Sequence, residues 1–163
     1  MTSELIILPV EKIQTETNKQ IKQRKNEYGL YVSLNKPHES LESSLKKENI
    51  NTQRLFFIDC VSTEQTQDKI VIHPTETETL STAINYFLKN IPGKKYLIID
   101  TLSTLLIYNN ENKVARLIKE ITEQNTKDTE IIALSPKTKG EELLNKIFNF
   151  FDEVKKWKKT KQY

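Results

Sequence analysis

Short apolar runs alternate with helix-period segments along nearly the whole of this 163-residue chain. The runs are Leu5–Leu8, Leu30–Leu34, Leu55–Ile58, Ile70–Ile72, Tyr96–Ile99 and Glu130–Leu134, most of them bounded by Pro, Gly or polar residues. Between them lie a weakly amphipathic stretch from about Lys12 to Lys25 and a short helix begun near His38, with Leu41 and Leu45 four apart. Three stronger helical faces follow: Leu80, Ala83, Ile84, Phe87, Leu88 and Ile91; Val114, Leu117, Ile118 and Ile121; and Leu143, Leu144, Ile147, Phe148 and Phe151. A strand that is apolar throughout is covered on both faces, as parallel strands are. Strands alternating with helices build a parallel sheet with helices on either side. The expected fold is α/β, a three-layer sandwich with a mainly parallel central sheet.

The length suits one domain with a proper core. No apolar run approaches the roughly 18 residues of a membrane span, and Met1–Glu4 carry no basic region of the kind that opens a signal peptide. A cytoplasmic protein is expected. One cysteine excludes an intrachain disulfide, and two histidines leave little for a zinc site. The net charge of +3 is unevenly placed: without Lys155, Lys156, Lys158, Lys159 and Lys161 the balance is 20 basic against 22 acidic residues. The expected division is one domain over residues 1–152 and a basic tail over 153–163. In that tail Lys155, Lys156, Trp157, Lys158, Lys159 and Lys161 form a contact patch for phosphate, lipid headgroups or an acidic partner, or else a solvated terminus. Residues 153–157 suit either a continued helix or a returning edge strand.

In parallel sheets, ligands sit beyond the carboxyl ends of the strands. Those ends are Pro9–Lys12, Leu34–Pro37, Asp59–Cys60, Asp100–Thr101 and Ser135–Lys137. An aspartate at such an end either holds the water shell of Mg²⁺ in a phosphate site or bonds loop and helix-start amides. Asp59 reads as the second kind, and Asp100 suits either. His38 and His73 have no partner Cys or nearby His. Cys60 reads as a small buried side chain. Neither G-x-S-x-G nor G-x-G-x-x-G occurs.

The segment Tyr96-Leu97-Ile98-Ile99-Asp100-Thr101 resembles the Walker B strand of RecA/KaiC-like ATPases, where an apolar strand ends in Asp-Ser or Asp-Thr. Gly29–Leu34 followed by Asn35–Leu41, then Leu55–Asp59, and later Glu130–Ser135, resemble the other landmark strands of that superfamily in order. The resemblance runs roughly from Leu5 to Trp157. It implies a RecA-type P-loop NTPase fold and, in an active member, ATP and Mg²⁺.

Two departures bear on activity. The superfamily's first strand runs into G-x-x-x-x-G-K-[ST], whose glycines let backbone N–H groups wrap the phosphates. Here Leu5–Leu8 runs into Pro9-Val10-Glu11-Lys12-Ile13-Gln14-Thr15-Glu16-Thr17, with no glycine before Gly29. The superfamily's second strand ends in two glutamates, one of which polarises the attacking water. Asn35 and Lys36 stand at the matching positions, and neither is a carboxylate base. Lys12, Asn35, Lys36, Asp100 and Thr101 are therefore expected to form a degenerate site with no cofactor and no catalytic residue. The expected function is a non-catalytic regulatory or scaffold module that binds a protein: a copy of itself or an active relative. Two alternatives are a residual ATP binder or weak ATPase using Lys12 or Lys36 with Asp100 and Mg²⁺, and a nucleic-acid accessory using the basic tail. The resemblance also suggests an archaeal source.

Overall fold

The computed structural model describes residues 2–124, 128–137 and 141–157. Seven strands form one sheet: β1 (Thr2–Leu8), β2 (Tyr28–Ser33), β3 (Leu55–Asp59), β4 (Ile70–Val71), β5 (Lys95–Asp100), β6 (Thr129–Pro136) and β7 (Glu153–Lys156). Their order across the sheet is β4-β3-β2-β5-β6-β1-β7, and every pairing is parallel. The helices are α1 (Ile13–Gln23), α2 (His38–Lys47), α3 (Thr77–Asn90), α4 (Leu102–Tyr108), α5 (Glu111–Glu123) and α6 (Glu141–Ile147).

Side-chain alternation sends each central strand into two cores. Leu5, Ile7, Leu30, Val32, Leu97, Ile99, Ile131 and Ala133 face α3, α4, α5 and α6. Ile6, Leu8, Tyr31, Tyr96, Ile98, Ile132 and Leu134 face α1 and α2. All six residues of β5 are buried, as the unbroken apolar run implies. The expected three-layer α/β sandwich is the observed one.

Local signals account for several boundaries. Asn110 caps α5, its side chain accepting from the Lys113 N–H at 2.9 Å. Arg24, just past α1, ties that helix to the start of β6, with Nη2 2.6 Å from Glu130 Oε2. The polar stretch Ser62–Lys69 is an irregular loop.

One element departs from the sequence reading. The sequence pattern does not announce α4: Leu102 and Leu105 are buried, but Ile107 and Tyr108 are apolar and exposed, and Ser103 and Thr104 alone are too few polar residues to mark a helical period. The strand alternative holds for residues 153–156, which pair with β1 as an edge strand. The first residues of the basic segment, Glu153–Lys156, therefore belong to the sheet. Lys158, Lys159 and Lys161 lie outside the described residues, as does the Leu143 side chain.

Gly29 shows how closely β2 and β5 fit. It lies opposite Tyr96 in the register, and a Cβ there would collide with the Tyr96 ring and hydroxyl. Tyr96 is itself buried, so the ring has nowhere to swing. Gly29→Ala is expected to destabilise the domain by about 2 kcal/mol in urea unfolding; an unchanged midpoint would show that Tyr96 yields freely.

Candidate functional site

Connections from β1 and β2 lead to the helices of one face, and those from β5 and β6 to the helices of the other. The direction therefore switches between β2 and β5 and again between β6 and β1. Such switch points open crevices at the carboxyl ends of the strands.

The β2/β5 crevice holds Asp100. Its backbone is bound to β2 through the Leu34 N–H, which donates to the Asp100 carbonyl at 2.8 Å. The Tyr31 hydroxyl donates to Asp100 Oδ2 at 2.6 Å, and Asn35 Nδ2 lies 3.3 Å from Asp100 Oδ1. Asn35 Nδ2 also reaches Thr101 Oγ1 at 3.3 Å, while the Thr104 hydroxyl donates to Asn35 Oδ1 at 2.7 Å. Thr101 and Ser103 hydroxyls are 3.2 Å apart. Burial pushes the Asp100 carboxyl above its ordinary range, against the lowering effect of Tyr31, Asn35 and Lys36. Burial, with Asp100 beside it, raises Tyr31 well above the ordinary phenol.

Of the sequence-derived candidates, Asn35, Asp100 and Thr101 are thus brought together. Lys36 stands at their edge, exposed, with its ammonium 3.3 Å from Gln14 Oε1. Lys12 is exposed, and among the described residues no hydrogen bond or ion pair joins it to the cluster. Tyr31 and Thr104 are partners that the sequence reading missed. Tyr31 sits inside an apolar strand and reads as core, and Thr104 lies on the unanticipated α4.

The β6/β1 crevice is different in character. Pro9 alone separates β1 from a 3₁₀ turn over Val10–Lys12, which leads directly into α1. The Lys12 N–H donates to the Pro9 carbonyl at 2.9 Å, and the Ile13 N–H to that of Val10. Beside this connection lies a largely apolar groove of about 960 Å³ lined by Ile7, Leu8, Pro9, Val10, Pro136, Lys137, Leu144, Asn145, Phe148, Lys156 and Trp157. Val10 is 70% exposed at its rim.

Asp59 behaves as a structural acid. It is fully buried and accepts from the amides of His38 (3.0 Å), Val61 (2.8 Å) and Ser62 (2.8 Å) and from the Ser62 hydroxyl (2.6 Å). Burial opposes ionisation, but these donors outweigh it and hold the carboxyl below its ordinary range. The His38 ring stacks on Phe57, and its Nε2 is 3.0 Å from Glu42. His73 Nδ1 is bonded to the Thr75 hydroxyl. Among the described residues no cluster of His, Cys, Asp and Glu could hold a metal ion. Burial pushes the Cys60 thiol up to about 12, which disfavours the thiolate. In the basic segment, Lys155 pairs with Glu4 at 3.0 Å and Lys156 lies over the Phe148 ring. Among the described residues no helix is long and apolar enough to cross a membrane.

Solved structures match this arrangement of strands and helices. KaiC-like protein PH0186 from Pyrococcus horikoshii superposes with a TM-score of 0.65 at 15% identity, over 94% of this chain and 69% of that one. The chain has a RecA/KaiC-like fold. PH0321 from the same archaeon, solved with an unknown peptide, gives 0.67 at 12% identity over 95% and 76%. PH0250, also from P. horikoshii, gives 0.64 at 7% identity over 98% and 82%. At these identities the likeness is one of fold. No protein-family model matches the sequence, and no curated protein does.

Within the RecA/KaiC-like domain, the two strand-end aspartates should respond oppositely to pH. The depressed Asp59 contributes stability above its unfolded value near ~3.9 and loses it as pH falls through the folded one. The raised Asp100 carries a penalty that grows as pH climbs from the unfolded value to the folded one and persists above it. Asp59→Asn is therefore expected to cost about 3 kcal/mol at neutral pH, with the cost shrinking in acid. Asp100→Asn should be neutral or stabilising at neutral pH. Urea unfolding of both variants near pH 7 and pH 4 checks this; equal losses at pH 7 would mean that the Asp100 charge supports the fold.

Proposed function

We propose that this chain is a non-catalytic RecA/KaiC-like domain that acts as a regulatory or scaffold module by binding another protein. The connection between β1 and α1 carries the reading. A triphosphate cradle needs a run of outward-pointing backbone N–H groups on glycine-permitted dihedrals, plus a lysine. The residues present do not fit that group. Pro9 has no N–H, the Lys12 and Ile13 N–H groups are turned back onto carbonyls of the 3₁₀ turn, and Glu11 and Glu16 add repelling charge.

The β2/β5 crevice supports the same reading. Asn35 and Lys36 supply no carboxylate base. Both Asp100 oxygens already accept from protein donors, and the raised carboxyl is a poorer ligand for a magnesium water shell. The groove beside β1 favours a protein partner over a polar metabolite, being mainly aliphatic and aromatic with lysines at its edge. PH0321, of the same fold, was solved with a peptide.

Titration calorimetry with Mg·ATP, paired with a phosphate-release assay, tests the proposal. The expected result is no binding tighter than roughly 100 μM and no release above buffer. Tighter binding would favour the residual nucleotide-binding reading through Lys12, Lys36 and Asp100. A gel shift that depends on residues 155–163 and fades with salt would favour the nucleic-acid reading.

A further inference from the structure

The strand β7 forms one edge of the sheet, and among the described residues nothing pairs with its outer side. The Trp157 N–H donates to the Ile7 carbonyl at 2.8 Å, with Lys156 opposite Ile7 in the register. Glu153, Lys155 and Trp157 therefore turn their backbone groups toward β1, and Val154 and Lys156 turn theirs outward. Sheets commonly guard such an edge with charge. Here the charges are ordered. The segment reads Asp152-Glu153-Val154-Lys155-Lys156: two acids, one apolar residue, two bases. Laid antiparallel on its own copy about Val154, such a segment sets Glu153 against Lys155.

We infer that β7 pairs antiparallel with β7 of a second copy of this chain, the two Val154 residues facing each other across a two-fold axis. The inference rests on the reading of the chain as a protein-binding module and names its partner. In this register Glu153 faces Lys155 of the second copy, and symmetry repeats the pair; the Asp152 carboxylate stays on β1, accepting from the Ser3 N–H at 2.8 Å. The backbone agrees, because Val154 is an outward residue and can exchange two N–H···O bonds with its counterpart. Moving one strand along by one residue sets outward groups against inward ones. Moving it by two, in either direction, centres the pairing on Glu153 against Glu153 or Lys155 against Lys155.

The neighbouring strand supplies a second argument. Glu153 is exposed and lies directly beside Glu4 of β1, so two like charges are adjacent on one face. A single lysine, Lys155, reaches Glu4 at 3.0 Å. Lys155 of the second copy would complete the row by standing on the other side of Glu153.

A four-residue edge makes a small interface, so the dimer is weak, with dissociation in the micromolar range or above. Sedimentation equilibrium of the full chain from roughly 1 to 500 μM should show reversible dimerisation. Val154→Pro removes an outward N–H without touching the β1 ladder, and should leave a monomer. Glu153→Lys and Lys155→Glu each set like charges opposite one another and should each weaken self-association about tenfold or more. Mixed in equal amounts, these two variants should regain a dimer, because every pair is again opposite in sign. That rescue also shows that both variants fold. A wild-type monomer throughout the range, a dimer indifferent to Val154→Pro, or a mixture that stays monomeric would each overturn the pairing. Such a result would leave the Mg·ATP titration as it stands, whereas nucleotide binding would undo the reading beneath.

Discussion

Burial of a parallel sheet on both faces governs this molecule. Strands β1, β6, β5 and β2 feed alternate residues into two separate cores, one under α1 and α2 and one under α3 to α6. A strand covered in this way has no polar face, so its polar chemistry is confined to its ends. All strands run the same way, so one end of the sheet gathers Pro9–Lys12, Asn35, Asp59, Asp100 and Lys137. Even the Asp100 environment follows from this burial. As the last residue of a fully covered strand it stays within the core, where desolvation works against its charge.

Asp59 and Asp100 occupy equivalent places on neighbouring strands of β2, yet their carboxyls shift in opposite directions. The difference lies in the count and kind of donors. Asp59 receives three amide N–H groups and a hydroxyl. These hold together β3, the start of α2 and the following loop. Asp100 receives a phenol and a longer contact from a side-chain amide, which do not offset its burial. The first is an architectural anchor. The second is held inside a polar network of Tyr31, Asn35, Thr101 and Thr104.

Much of this could be read from residue pattern because apolar runs and helical faces report burial directly. Tyr96–Ile99 and Leu80–Ile91 stand where their chemistry puts them. The resemblance of Asp100-Thr101 to a Walker B strand end, and of Asn35 to the end of the second strand, also placed those residues in one crevice. Other features depend on contacts that pattern does not encode. Tyr31 looks like core from its neighbours, and only the register of β2 against β5 carries its hydroxyl to Asp100. α4 is apolar on its exposed side, and β7 is short and charged, so neither has the periodicity that announces an element. The β7 edge is equally opaque until Trp157 N–H and Ile7 show which way its backbone faces.

The lack of a phosphate cradle is a property of main-chain N–H groups, and backbone amide resonances report on those groups directly. In a titration of the labelled chain with Mg·ATP to about 1 mM, the amides from Leu8 to Thr17 are predicted to hold their positions. Saturable shifts centred on Val10–Ile13, accompanied by Asn35 and Thr101, would contradict it, since they would place a polyphosphate on the turn that joins β1 to α1.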